Sequence, residues 1–218
     1  MKLSLILLTF LVLTGCNNGF KTTDTDSVVQ LPPQVVVLPT PTPIPAENEI
    51  QVMVDLYNET RLAQGNELIL PGLNCDLLAV PNSATQIVGA TTTNIGNFVF
   101  TGTFDQLNSS VNDGLNILPD ALKQVYTTYF VVKCTGYLVV SNDQWHKFDL
   151  TSDDGSNLYV DGAILNNDGL HGAQTKSYAK FLTHGVHSFE VDFFQAGGSQ
   201  ELIVGMDGLL VPSANLYH

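Results

Sequence analysis

A two-residue turn is the feature that most constrains how this chain folds. Asp161 and Gly162 form an Asp-Gly pair between two short apolar runs, the strongest short-range signal for a β-hairpin. Counting back from the turn pairs the two runs residue by residue. It also places the acidic segment 153–155 beside the polar segment 166–169. The sequence therefore predicts two oxygen-rich loops next to each other at one end of a hairpin.

Two interpretations of these neighbouring loops follow from their composition. Carboxylate and amide oxygens on adjacent loops suit a hard cation such as calcium, which takes roughly 6–8 oxygen ligands. Aspartate, asparagine and glycine are also the common residues of ordinary surface turns. The spacing alone does not separate a cation site from two turns.

The first residues have the pattern of a secretory signal. Residues 1–15 carry one early positive charge and an apolar run that is shorter than the ~20 residues a membrane-spanning helix needs. Residues 13–16 resemble a bacterial lipobox, which implies that Cys16 is lipidated; a plain signal peptide cut near Gly15 is the alternative. Asn17 resembles the residue found there in outer-membrane lipoproteins. We therefore expect a protein anchored by lipid to the bacterial outer membrane, facing the periplasm or the cell surface.

A tether and a short helix are predicted next. Residues 16–48 show no apolar period suited to packing, and their later part alternates threonine with proline. That alternation favours extended polyproline II, a semi-rigid spacer of ~3.1 Å per residue. Residues 49–65 place apolar side chains at helical spacing, with Gly65 as the stop. The tether and helix would lead into one folded domain, residues 66–218.

The cysteine count predicts a disulfide. If Cys16 carries lipid, Cys75 and Cys134 remain as an even pair in an oxidising compartment. A bridge between them would close a loop of about 60 residues, worth roughly 4 kcal/mol in the chain-entropy treatment. Two buried free thiols are the alternative.

Charge excludes one class of partner. The formal net charge is −13, and lysine and arginine form no cluster anywhere. A phosphate backbone is therefore not an expected partner, so we expect no nucleic-acid binding. An acidic surface is compatible with calcium but does not specify it.

The domain itself has the pattern of an all-β protein. Residues 187–193 alternate apolar and polar side chains, and a glycine-rich loop, 195–199, separates them from the apolar run 202–206, which predicts a second hairpin. Residues 129–140 supply one or two strands, with a break expected at Gly136. Short strands at this spacing predict an antiparallel β-sandwich.

Several segments of this domain together resemble a known family. They occur in this order: 136–138, 152–162, 167–172, 182–187 and 190–194. The set resembles the protective-antigen-fourteen domain, a β-sandwich of toxins, glycosidases, yeast flocculins and other adhesins, over about residues 129–208. Because that fold serves many functions, the function has to be argued from the site.

The resemblance implies a calcium site. In carbohydrate-binding members of the family, two consecutive aspartates joined by a cis peptide hold a calcium ion, and sugar hydroxyls complete its coordination. Asp153 and Asp154 match that pair. A later loop supplies a side-chain amide and backbone carbonyls, which the resemblance assigns to Gln195 and Gly197. Calcium would offset the repulsion between the adjacent carboxylates and present an open face to a vicinal diol.

Further side chains are expected near this site. The hairpin count places Asn167, Asp168 and His171 beside it, where they either hydrogen-bond a sugar or shape the turn. Trp145, the only tryptophan, lies in a turn, and we expect it to be half-buried in the sandwich rather than to form an aromatic platform.

Other chemistries find no support in the motifs. His184 and His187 stand three residues apart across a turn without a third ligand, which argues against zinc. The chain has no Gly-x-Ser-x-Gly elbow and no His-Glu-x-x-His helix, so we expect no catalysis.

We therefore expect an envelope lipoprotein that binds glycans through calcium, in the manner of a lectin or adhesin. One alternative is a structural or assembly module that binds another envelope protein, with calcium serving stability alone. Another is an accessory domain for an enzyme encoded elsewhere. The sequence specifies neither the sugar nor the oligomeric state.

Overall fold

The computed structural model describes residues 46–109 and 114–218. The predicted signal peptide, the lipidated Cys16 and all but the last residues of the tether lie outside the described residues. The described part begins with a helix, α1, which spans Ala46–Ala63, and a second, short helix, α2, spans Asp120–Lys123.

Twelve strands are found in the described residues. They are β1 (Leu73–Ala79), β2 (Thr93–Phe100), β3 (Asp105–Ser109), β4 (Phe130–Val140), β5 (Gln144–Asp153), β6 (Ser156–Val160), β7 (Ala163–Asn167), β8 (Gln174–Leu182), β9 (Gly185–Gln195), β10 (Gln200–Met206), β11 (Leu209–Leu210) and β12 (Leu216–Tyr217).

These strands form two antiparallel sheets. The larger sheet has the order β2-β1-β4-β9-β6-β7, with β12 also beside β4. The smaller sheet has the order β11-β10-β5-β8, with β3 also beside β10. Their inner faces pack together around buried aromatic side chains, among them Phe130, Phe148, Phe189 and Phe193. The predicted antiparallel β-sandwich is confirmed.

The predicted hairpin forms around the Asp161-Gly162 turn. It joins β6 to β7, and Val160 pairs with Ala163 as the count from the turn required. Asp161 and Gly162 both have positive φ angles, 45° and 73°. The type I′ turn that suits the twist of a β-hairpin requires positive φ at both of these positions, which explains the Asp-Gly sequence.

The second predicted hairpin, between 187–193 and 202–206, is wrong. Strand β9 belongs to the larger sheet, whereas β10 belongs to the smaller sheet. Both edges of β9 are occupied, by β4 and β6, so no edge is left for β10. The loop between them therefore crosses from one sheet to the other. We call residues 195–199 the second arch, because residues 153–155, the first arch, cross in the same way between β5 and β6.

Gly136 does not interrupt its strand, contrary to the expectation from sequence. Strand β4 runs through it for 11 residues. A Cβ at Gly136 would clash with the carbonyl oxygen of Tyr217 and lie 2.7 Å from the Leu73 side chain. The glycine therefore serves the close approach of the last strand, β12, to β4.

Helix α1 begins three residues earlier than predicted and ends before Gly65, as expected. Gly65 has a φ angle of +77°, the left-handed conformation usual after a helix. Ile50 and Val54 of the helix pack against Val139 and Tyr217, on the outer face of the larger sheet. Among the described residues, no helix is both long enough and apolar enough to cross a membrane.

The predicted disulfide is present in the structure. Cys75 on β1 and Cys134 on β4 are directly paired in the larger sheet and joined through their sulfur atoms. Both are buried, so the bridge fixes two neighbouring strands inside the core.

Candidate metal and ligand site

The two arches meet at one end of the sandwich. Each arch leaves one sheet and enters the other, so their backbones run side by side. The amide of Phe194 donates a hydrogen bond to the carbonyl oxygen of Gly155 at 2.7 Å, which joins the strand leading into the second arch to the first arch. The sequence-predicted aspartate pair and the predicted amide ligand are thus brought together by the topology.

Asp154 is held by the second arch. Its side chain is largely buried, and its Oδ2 accepts the backbone amides of Ala196 at 2.9 Å and Gly197 at 3.4 Å. The peptide bond between Asp153 and Asp154 is cis, as the family resemblance implies. One carboxylate of the pair is therefore fixed against the loop that carries the other candidate ligands.

Asp153 stands in a negative environment. Burial raises the pKa of Asp153, the charge of Asp154 raises it further, the ring of His171 opposes the rise, and Glu201 adds to it. Glu201 faces Asp153 across β5 and β10 and is itself largely buried. Sequence reasoning missed Glu201, because the pairing of β10 with β5 is not visible in a local pattern.

Gln195 supplies an oxygen without a partner. Its Nε2 donates to the carbonyl oxygen of Ser199 at 3.0 Å, which fixes the orientation of the amide inside the second arch. Its Oε1 is buried and accepts no hydrogen bond from the described residues. An acceptor left unpaired in the interior costs about 1–3 kcal/mol, so this oxygen is suited to a ligand that the protein itself does not provide.

These groups fit calcium. Asp153, Asp154 and the Oε1 of Gln195 offer oxygen atoms as ligands, the type of ligand that calcium takes. Gly197 lies on the second arch, as Gln195 does. Within residues 46–109 and 114–218, no three histidine, cysteine, aspartate or glutamate side chains converge as a metal cluster. A cation here would therefore depend on amide and backbone oxygens as well as on the aspartate pair.

Asn167 lies beneath the site and not on it, contrary to the expectation that it could contact a ligand. Its side chain is buried, and its Nδ2 donates to Ser152 Oγ and to the carbonyl oxygen of Gln174, each at 2.9 Å. Asn167 belongs to the larger sheet, and both acceptors belong to the smaller one. The residue is a polar link between the sheets and presents no side-chain atom at the surface.

Asp168 anchors a loop. Its carboxylate accepts the backbone amides of Ile87 at 2.8 Å and Val88 at 3.1 Å. Those amides belong to residues 81–91, which we call the covering loop because Ile87 packs over the outer face of the larger sheet. The contacts of Asp168 are those of a residue that shapes the structure around the site.

His171 and Gly155 also shape the loops. The two ring nitrogens of His171 lie 2.8 Å from the carbonyl oxygens of Asn167 and Gly172. A Cβ on Gly155 would lie 2.6 Å from the backbone nitrogen of Gly169. The neighbouring position of segments 153–155 and 166–169, predicted by counting from the turn, is therefore present in the structure.

Trp145 is not half-buried as expected. It lies on β5 with 68% of its surface exposed and packs edge-on against Phe181, with ring centroids 6.0 Å apart. Eight residues of strand separate it from Asp153, a distance of roughly 26 Å. The aromatic pair therefore lies at the opposite end of the sandwich from the arches.

His184 and His187 have separate partners. His184 Nδ1 lies 3.0 Å from Asp143, and His187 Nδ1 lies 2.7 Å from Asp161. The two side chains are thus engaged by different carboxylates, which agrees with setting a zinc site aside.

Comparison with known families gives this β-sandwich a more specific assignment. Residues 121–212 match the family model of the PA14 domain, the protective-antigen-fourteen domain. The resemblance inferred from the motifs is confirmed over these residues.

Solved structures agree with this assignment at the level of fold. The PA14 domain of the antifreeze protein MpAFP is 16% identical, with a TM-score of 0.53, over 68% of this chain and 91% of that domain. A PA14 sugar-binding domain from an RTX adhesin is 21% identical, with a TM-score of 0.50, over 63% of this chain and 89% of that one.

A third similar structure is an anti-sigma factor domain-containing protein. It is 16% identical, with a TM-score of 0.52, and the match covers 68% of this chain and 48% of that longer one. A comparison with curated proteins finds no match.

Proposed function

We propose that this protein binds carbohydrate through a calcium ion held at the two arches by Asp153 and Asp154. The observation that carries the proposal is the unpaired Oε1 of Gln195, buried beside an aspartate pair that the second arch orients. The structural similarity to a domain described as sugar-binding in an RTX adhesin supports carbohydrate as the ligand class.

Each residue has a defined part in this proposal. Asp154 is positioned by the amides of Ala196 and Gly197, which both donate to its Oδ2. Asp153 and the Oε1 of Gln195 are the other side-chain ligands that we assign to the ion. The carbonyl oxygen of Gly197 is the backbone ligand that we assign. Bound calcium would supply the positive charge that attracts the hydroxyl oxygens of a vicinal diol.

The proposed activity is binding without catalysis. Glycoside hydrolysis needs one carboxyl group that donates a proton and another that acts as base or nucleophile. Asp153 and Asp154 would both be engaged by the cation, so neither would be available for proton transfer.

The proposal extends to the location of the protein. A signal peptide over residues 1–15, lipid on Cys16 and a tether over residues 16–48 would hold the sandwich away from an outer membrane. Single sugar contacts are weak, and tethered copies on one surface raise the effective concentration and hence the avidity.

Binding to an array of glycans, with calcium and again with EDTA, tests the proposed function. The full-length protein is expected to bind a group of related sugars in calcium and to lose them in EDTA. A signal that is the same in both conditions, or no signal in either, would contradict a calcium-dependent lectin.

A second candidate function is assembly with another envelope protein. The observation that favours it is the exposed aromatic pair formed by Trp145 and Phe181, because exposed aromatic side chains are enriched at protein interfaces. Under this function, Trp145→Ala would abolish the capture of a protein partner by the tagged full-length chain, while Asp154→Asn would leave it intact.

A further inference from the structure

A groove on the outer face of the larger sheet is separate from the arches. Its volume is about 600 Å³. Its lining is mostly polar or aromatic and includes Asn74, Thr135, Tyr137, Tyr159, Ser188 and Glu190. Helix α1 covers this face of β4 at Val139, and the covering loop covers it at Val131. The groove is the part of the face that lies open between them.

The pairing of the strands fixes the arrangement of the groove. Thr135 on β4, Glu190 on β9 and Tyr159 on β6 are direct neighbours across three strands, so their side chains share one face. Tyr137 is paired with Ser188 in the same way. The two tyrosines therefore stand on either side of β9, two strand spacings apart and offset by two residues along the strands, which separates them by roughly 12 Å. Ser188 and Glu190 lie between them.

This arrangement matches the chemistry of a sugar. A pyranose ring presents C–H groups on its faces, which pack on aromatic rings, and hydroxyl groups at its edges, which hydrogen-bond. In the part of the chain that the structure describes, no hydrogen bond uses the hydroxyls of Tyr137 and Tyr159 or the side-chain amide of Asn74. Glu190 is held in place by Lys133, whose Nζ lies 2.5 Å from its Oε1.

Buried polar residues lie next to the groove on the same face of the sheet. Asn157 and Asp192 are paired across β6 and β9, next to Tyr159 and Glu190, and are 0% and 3% exposed. Both amide atoms of Asn157 have no hydrogen-bond partner among the described residues, and the Oδ1 of Asp192 has only the ammonium group of Lys133 nearby, at 3.8 Å. Buried polar atoms without protein partners are completed by ordered water or by a ligand. The row of the sheet next to the groove is therefore polar as well.

We propose that the groove is a second carbohydrate site, which binds a neutral oligosaccharide of two or three residues without calcium. The volume of the groove lies in the range of small-ligand sites, roughly 300–1,000 Å³. A protein partner would instead need a broad surface of about 800 Å² on each side, so a small ligand is the better fit. Glu190 and Asp192 against the single Lys133 leave the face negative, which disfavours acidic polysaccharides. The site stands apart from the function proposed for the arches and does not depend on it.

Saturation-transfer difference NMR on the full-length protein tests this site in EDTA, in a detergent without a sugar headgroup. The probes are cellobiose, lactose, maltotriose and diacetylchitobiose at millimolar concentration. At least one probe is expected to receive saturation at its ring C–H protons. Tyr159→Ala is expected to weaken that binding at least tenfold, about the loss typical of a central aromatic contact. Trp145→Ala, which removes an exposed aromatic ring from the other sheet, is the matched control and should change nothing.

Two further variants keep the outcome decisive. Tyr159→Phe retains the ring and should retain most of the binding, and Glu190→Gln retains the shape of the groove while losing an acceptor and should weaken it. If Tyr159→Ala does not fold, the comparison of Glu190→Gln with the native protein decides.

The proposal is overturned if no probe receives saturation in EDTA. It is also overturned if Trp145→Ala loses sugar binding and the groove variants keep it. Asp154→Asn should leave this signal intact, which separates it from binding at the arches.

Discussion

The carboxylate of Asp154 accepts the backbone amide of Ala196 at 2.9 Å, across 42 residues of sequence. This bond joins two arches that each cross between the sheets, so the relative position of the sheets sets the geometry of the candidate site. The carboxylate pair is therefore supported by the core of the sandwich, whose strands lead directly into both arches. A site held in this way is oriented before any ligand arrives.

Calcium is expected to stabilise the native protein and not its Asp154→Asn variant. A ligand that binds only the folded state adds about 2.7 kcal/mol at a concentration one hundred times its Kd. Thermal unfolding of the full-length protein, with calcium and with EDTA, measures this effect. Asp149→Asn, on the strand β5 that leads into the first arch but bonded to Lys147 and Ser177, is the matched control and should keep the calcium-dependent rise. A rise of equal size in Asp154→Asn would place the cation elsewhere.

Asp192 is expected to lower stability as pH rises. Burial raises the pKa of Asp192 to about 6; Lys133 opposes the rise, and Glu190 and Asp168 add to it. Between pH values of about 4 and 6 the folded carboxyl keeps a proton that the unfolded one has lost, so stability falls over this window and stays lower above it.

Asp192→Asn removes this penalty. At neutral pH the variant is expected to gain about 3 kcal/mol in the free energy of unfolding, because the pKa of about 6 lies roughly two units above the ordinary value and one pKa unit corresponds to about 1.4 kcal/mol. Urea unfolding at about pH 4.5 and pH 7.5 measures the difference between variant and native protein. If the native protein and the variant lose the same stability between these two pH values, the assignment is wrong.

Asp168 is expected to hold the covering loop. Asp168→Ala removes the acceptor of the Ile87 and Val88 amides, so hydrogen exchange of these two amides should become faster. The expected loss of stability is about 1.5–3 kcal/mol, the cost of breaking a hydrogen bond to a charged group. Asp120→Ala, which removes an exposed carboxylate from α2, should leave the exchange of the loop unchanged. Unaltered exchange in Asp168→Ala would show that the loop is held by its apolar contacts alone.

Gly136→Ala is expected to be strongly destabilising, at about 3 kcal/mol or more, because its Cβ would meet the backbone of Tyr217. Gly172→Ala is the matched control, since nothing lies within 4 Å of its added Cβ. The difference between the two variants in urea unfolding measures the effect. Equal stability of both would mean that β12 moves aside at little cost.

Local signals carried most of what the sequence predicted. The Asp161-Gly162 turn fixes its hairpin because the turn type and the flanking residues are adjacent in the chain. The helix stop at Gly65 is equally local. The hairpin assigned to loop 195–199 was wrong, because a glycine-rich loop between two apolar runs does not reveal that β9 already has a partner on each edge.

Features that several distant strands build could not be predicted. Glu201 faces Asp153 only because β10 pairs with β5, and the groove is assembled from four strands far apart in the sequence. The exposure of Trp145 depends in the same way on which face of β5 packs against the core. Such positions follow from the order of strands in each sheet, and no local pattern encodes that order.

The most direct test of the central claim is calorimetric titration of a sugar found on the glycan array into the full-length protein and into Asp154→Asn. We predict a calcium-dependent binding heat for the native protein and for Asp149→Asn. We predict none for Asp154→Asn, whose circular dichroism should remain that of the native fold. Binding of the sugar to Asp154→Asn with unchanged affinity would contradict a carbohydrate site built on the aspartate pair.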